Sequence, residues 1–190
     1  VIITVGYIFL KKDVFRLLKT VREPVVLGFA TASSESAYPK LIVALEKFGV
    51  PKRIISFVLP LGYSFNLDGS MIYMSFAVLF IAQAYNIDLI ISQQILMLLT
   101  LMITSKGIAG VSRASLVVIA ATLAMFKRPE AGILLILAVD HFLDMGRTAT
   151  NIIGNSVATA VIAKTESHKA DESEIVLVQP LMPSEQKNSL

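Results

Sequence analysis

Asp140-His141-Phe142-Leu143-Asp144-Met145-Gly146-Arg147-Thr148-Ala149-Thr150-Asn151 lies inside an apolar segment running from residue 131 to 164. Four polar members, Asp140, Asp144, Arg147 and Asn151, are spaced 4, 3 and 4 apart. That spacing puts them on one face of a helix. Three charges within eight residues of an apolar helix are costly in hydrocarbon unless they pair or line a polar site. Arg147 offers a planar fork that suits a carboxylate. Asp144 can hold an ammonium group. Two readings stand side by side: together they grip an amino acid bearing an extra carboxylate, or they pair with each other across three residues.

The composition points to a membrane. Of 190 residues, 55% are hydrophobic and 16% charged, with a mean hydropathy of +0.71. Soluble domains carry about a quarter charged residues. With no Cys there is no disulfide framework and no thiolate metal site, and with no Trp an interfacial belt has to come from Tyr and Phe. The net charge of +3 resides in short connecting segments, and no basic face interleaved with aromatics suggests nucleic acid. The chain opens without Met and reads as a fragment of a longer protein, with residues 1–10 as the end of a transmembrane helix against Lys11 and Lys12.

The apolar runs are short and interrupted. After a basic cytoplasmic linker at 11–23, residues 24–48 hold two arms around Ser33-Ser34-Glu35-Ser36. Residues 54–86 form a span broken at Asn66-Leu67-Asp68-Gly69-Ser70. Residues 89–126 hold two arms around Ser105-Lys106-Gly107-Ile108-Ala109-Gly110-Val111-Ser112, and the last helix follows at 131–164. From 165 to 190 the chain turns polar and reads as a disordered cytoplasmic tail. An arm of about 13 residues rises roughly 20 Å as helix, short of the about 30 Å of hydrocarbon. Such pairs read as re-entrant hairpins, and interrupted segments at matching places in two halves point to a transporter's binding site. The expected fold is an all-α membrane protein with discontinuous transmembrane helices and two re-entrant helical hairpins. Basic residues at 11–22 and 47–53 place those loops in the cytoplasm, and the turn Asn86-Ile87-Asp88 outside, although Lys127 and Arg128 fall on that outer side too.

A helix opened at Asn66 to Ser70 frees carbonyl oxygens, which with Asp68 and an amide oxygen suit Na⁺; the alternative is a kink whose Asp caps the next helix half. The tip at 33–36 presents hydroxyls and N–H groups suited to an anion, or is an ordinary Ser-rich turn. Ser105 to Val111 lacks the full Walker spacing and follows no strand, so it is a weak phosphate loop. Ser33 and Lys40 make no catalytic pair, His141 reads as a packed or interfacial histidine, and an enzyme is the least favoured class.

At these motifs, from about residue 1 to 166, the sequence resembles the dicarboxylate/amino acid:cation symporter family, which includes glutamate transporters. The Ser-rich tip, Asn66-Leu67-Asp68-Gly69-Ser70, the Gly107 to Val111 tip, and Asp144-Met145-Gly146-Arg147-Thr148 with Asn151 occur in the family's order. The resemblance implies a homotrimer in a bacterial inner membrane, each protomer having a scaffold and a mobile transport domain that moves as an elevator. This chain corresponds to most of the transport domain, with the second hairpin as gate.

The resemblance also implies a site. Arg147, assisted by Ser70, takes the substrate's side-chain carboxylate. Asp144 and Thr148 take its amino group. Asn151 and the backbone around Ser33 and Ser34 take its main-chain carboxylate, and Val111 closes over it. Cation ligands are Asn66, Asp68, Asn151 and the Gly62 carbonyl, with a second set at Ser64, Leu67 and Ser105. Sodium-coupled members have Asp where this chain has Asn155, so proton coupling is the slightly favoured expectation and Glu35 is nominated as a proton site. The Asp144–Arg147 combination favours glutamate or aspartate, with a C4-dicarboxylate symporter and a non-transporting amino acid sensor as alternatives. No cofactor is expected beyond Na⁺ or H⁺ as coupling ion.

Overall fold

Pro129 and Pro180 bracket a stretch with no other proline, and one long helix fills most of it. The computed structural model describes residues 1–65, 68–105, 113–127 and 130–177, and this helix, α9 (Ile133–Leu177), is the axis on which the rest assembles. The expectation that the helix ends at 164 and a disordered tail begins at 165 is corrected: α9 continues to Leu177. Residues 165–177 contain neither Gly nor Pro, and Glu166 is tied to Arg53 at 2.9 Å. Residues 178–190 lie outside the described residues.

The preceding helices are α1 (Ile2–Leu10), α2 (Asp13–Thr20), α3 (Arg22–Thr31), α4 (Ser34–Phe48), α5 (Lys52–Phe65), α6 (Asp68–Ala84), α7 (Ile91–Thr104) and α8 (Ala114–Met125), with a 3₁₀ turn at Glu130–Gly132 before α9. The basic linker is itself mostly helix. Val14 and Leu17 of α2 are fully buried while its charged residues face outward, the pattern of an amphipathic helix.

The first pair of arms is α3 and α4. Thr31 ends α3, Ala32 takes a left-handed conformation (φ 49°), and Ser33 caps α4 by accepting the Ser36 N–H. The second pair is α7 and α8. The span at 54–86 is divided between α5 and α6, with Asn66 and Leu67 outside the described residues. By length and composition the stretch Lys52–Ala84 can cross a membrane.

Two apolar cores form on α9. One gathers Val14, Leu17, Leu41, Leu45, Ile55 and Leu59 from α2, α4 and α5 around Ile152 and Val157. The other gathers Tyr73, Met74, Ile81, Met97, Leu101, Ile119 and Leu123 from α6, α7 and α8 around Ile136. Between Ile136 and Ile152 runs the polar face that opened the sequence reading. The distribution of polarity is inside out. Asp140, Asp144, Arg147, Thr148, Asn151, Asn155, Ser156 and Thr159 are all buried, whereas Phe57, Phe76, Ile91, Ile103, Val117 and Phe142 are each about 70% exposed or more. A surface of this kind fits lipid or further protein, and a charged interior fits a polar pathway.

Candidate substrate and cation site

The polar face of α9 meets the first turn of α6. Gly69 makes this possible, because a Cβ there would stand 2.3 Å from the Arg147 carbonyl oxygen and 2.9 Å from Thr150 Cβ. The close approach brings the Gly69 N–H to Asn151 Oδ1 at 2.9 Å. Asn151 Nδ2 then donates to Ser70 Oγ at 3.0 Å, and Arg147 Nη1 donates to the same oxygen at 3.2 Å. Ser70 thus receives a charged and a neutral donor while fully buried.

Arg147 Nε donates to Asp144 Oδ1 at 2.5 Å, with both side chains at most 1% exposed. The pairing reading of these two residues therefore holds in this state, beside the reading in which they receive a substrate. Thr148 Oγ1 donates back to the Asp144 carbonyl at 2.9 Å, the usual arrangement for a helical threonine. The second oxygen of Asp144 accepts the backbone N–H of Arg113, at the start of α8, at 2.8 Å. One carboxylate therefore bonds both to its own helix and to the second pair of arms.

Ser34 is 4% exposed, and its carbonyl accepts the Tyr63 hydroxyl of α5 at 3.0 Å, with Tyr63 also edge-on to Tyr38. Ser33 is the α4 cap just before it. The first hairpin reaches α9 through Gly28, whose absent side chain makes room for Ile152 and Thr148. Glu35 lies in the first turn of α4.

Among the cation candidates, Gly62 and Asn155 come together. A Cβ on Gly62 would lie 2.5 Å from Asn155 Oδ1, so glycine is what admits the amide to the α5 backbone. Asn155 and Asn151 lie one turn apart on α9. Asp68, in the first turn of α6, opens onto a groove shared with Ile2, Val5, Gly154 and Val157. Ser105 is buried at the end of α7 and donates to the Met102 carbonyl, while Ser64 is exposed on α5. Asn66, Leu67 and Val111 lie outside the described residues. All the oxygens placed here are hard donors of the kind that suits Na⁺, with Asp68 as the carboxylate.

Two contributors escaped the sequence reading. Tyr73 donates its hydroxyl to Asp140 Oδ1, and Arg113 Nε stands 3.4 Å from Asp140 Oδ2. Tyr73 follows Ser70 by three residues and so shares its helix face, a signal present in the sequence. Arg113 carries no such signal, because it meets α9 across a chain separation of about thirty residues.

Residues 1–165 match the model of a family described as the sodium:dicarboxylate symporter family. The chain is 52% identical over 159 residues to a proton/glutamate-aspartate symporter of Escherichia coli K12, covering 84% of this chain and 36% of that protein. It is 49% identical over 160 residues to a proton/sodium-glutamate symport protein of Bacillus caldotenax, covering 84% and 38%. It is 46% identical over 153 residues to a C4-dicarboxylate transport protein of Pseudomonas syringae pv. syringae B728a, covering 80% and 34%. The chain thus spans little more than a third of the length of the curated relatives it matches. With the family model covering all but the last residues, and with the buried polar seam built from the motifs that carried the resemblance, the chain belongs to the sodium:dicarboxylate symporter family.

Proposed function

We propose that this chain is the substrate-carrying part of a secondary transporter that moves glutamate or aspartate together with cations. Membership of a symporter family makes it a membrane protein, and a multi-pass position in a bacterial inner membrane agrees with its apolar exterior. The observation that carries the reading is the buried Asp144–Arg147 pair, with Ser70, Thr148 and Asn151 around it. An acidic amino acid brings the complementary pair, an ammonium and a side-chain carboxylate. Its entry exchanges one internal ion pair for two intermolecular ones and leaves the buried charge balanced. Asn151 and the Ser34 backbone stand on the side where the main-chain carboxylate is received.

The two arm pairs act as re-entrant hairpins, the second as the gate, and the whole slides as an elevator against a scaffold within a homotrimer. The exposed apolar faces of α6, α8 and α9 support such a partner surface. Coupling ions are cargo. Gly62, Asp68, Asn151 and Asn155 hold a sodium ion if one is carried, together with Asn66; Ser105, Ser64 and Leu67 are the second candidate set. The neutral amide of Asn155 favours protons, with Glu35 as a candidate carrier.

The test is uptake of labelled L-glutamate by the full-length protein in sealed vesicles under an inward proton gradient without sodium. Accumulation above a gradient-free control supports proton coupling. Recovery only on adding sodium refutes it. Silence under both conditions, with folded protein, sinks the amino acid assignment. Asp144→Asn separates the C4-dicarboxylate reading, because it abolishes uptake of an amino acid and spares a substrate that has no ammonium.

A further inference from the structure

Asp140 is fully buried and takes no part in the substrate contacts above. Its Oδ1 accepts the Tyr73 hydroxyl from α6. Its Oδ2 accepts no hydrogen bond among the described residues, yet faces Arg113 Nε at 3.4 Å. Arg113 stands at the start of α8, in a left-handed conformation (φ 63°) that few side-chain-bearing residues adopt, with its side chain 57% exposed. It therefore touches α9 twice, by its backbone N–H to Asp144 and by its guanidinium to Asp140.

We propose that Arg113 is a positioning residue that holds the second hairpin on α9, and that its release is linked to uptake of one proton by Asp140. The inference rests on the proposed gating role of that hairpin. The groups facing Asp140 are Tyr73 from α6, Arg113 from α8, and Asp144, Arg147 and the adjacent His141 on its own helix. Arg147 is bonded to Asp144 and Ser70. With the hairpin closed, two carboxylates, Asp140 and Asp144, face two guanidinium groups, Arg113 and Arg147. If α8 lifts away, Arg113 leaves with it and Asp140 remains as a buried carboxylate without that cation. A buried charge so stranded is better neutral. Asp140 then takes one proton from the water admitted by opening, and the proton returns to water when Arg113 comes back. Charge balance is kept in both states. By linkage the converse holds: a protonated Asp140 loosens Arg113 and favours the open hairpin.

The chain has no Cys, so introduced cysteines are labelled specifically within it. In the full-length protein in liposomes, spin labels on Val117→Cys of α8 and Val43→Cys of α4 report the separation of the second hairpin from the first. Without substrate, the ratio of open to closed hairpin rises as pH falls, by at most about tenfold per pH unit, the limit for one proton. Asp140→Asn and Arg113→Ala each raise the open fraction and flatten this pH profile. Arg113→Lys restores part of it, which a purely structural loss does not predict. A wild-type profile independent of pH overturns the proposal, as does an Arg113→Ala variant that keeps the wild-type profile. Should Arg113→Ala not fold, the wild-type and Arg113→Lys profiles decide. Adding glutamate separates the two levels of argument. If glutamate closes the hairpin while pH has no effect, the gate stands and the Arg113–Asp140 linkage falls. If neither moves it, both fall.

Discussion

Replacing Gly69 with Ala tests the join on which the site depends. The new Cβ would lie 2.3 Å from the Arg147 carbonyl oxygen and 2.9 Å from Thr150 Cβ. Real Cβ atoms essentially never approach closer than 3.0 Å, and the obstacle is backbone, which cannot swing aside. Helix α6 has to shift away from α9, and the 2.9 Å bond from Gly69 N–H to Asn151 lengthens with it. Overpacking of this kind costs about 1–3 kcal/mol. The weakened hydrogen bond adds up to about 1 kcal/mol. Against this, Ala favours helix over Gly by about 0.5–1 kcal/mol in a helix interior, and less in a first turn. The clash wins, and the expected net loss is about 1–3 kcal/mol. The assay is unfolding of the full-length protein in mixed micelles, alongside Gly146→Ala. A Cβ on Gly146 meets nothing within 4 Å among the described residues, so that variant is expected to be neutral or stabilising by up to about 1 kcal/mol. Glutamate binding should weaken in Gly69→Ala as well, since Ser70 moves with its neighbour. A Gly69→Ala protein as stable as the wild type refutes the proposed contact between α6 and α9.

Two further outcomes are expected. Tyr63→Phe removes the hydroxyl that holds the Ser34 carbonyl while leaving a ring to pack on Tyr38. Loss of about 1 kcal/mol raises the KM for the transported acid by at most about fivefold, and a KM unchanged despite lowered stability confines Tyr63 to packing. Asn155→Asp places a carboxylate where Gly62 admits the amide. Sodium-dependent uptake without a proton gradient should rise, and an unchanged ion dependence takes Asn155 out of the coupling site.

The sequence by itself determined the polar face of α9, because the 4, 3, 4 spacing of Asp140, Asp144, Arg147 and Asn151 is a property of one helix. It also determined the paired arms, through apolar runs too short for a full span, and the family, through motifs in a specific order. It marked Ser70 and Gly62 as site residues without showing why they belong there. Only the tertiary structure decided that Ser70 is shared between Arg147 and Asn151, that Asp144 and Arg147 pair in this state, and that Arg113 and Tyr73 converge on Asp140. Only it carried α9 on to Leu177 and divided the apolar residues between two cores. The reason is the range of the forces involved. Helical periodicity is written within a few residues of chain, whereas contacts between α6, α8 and α9 join residues about thirty to eighty positions apart. Those contacts depend on how closely backbones approach, and here that was settled by the missing side chains of Gly62 and Gly69.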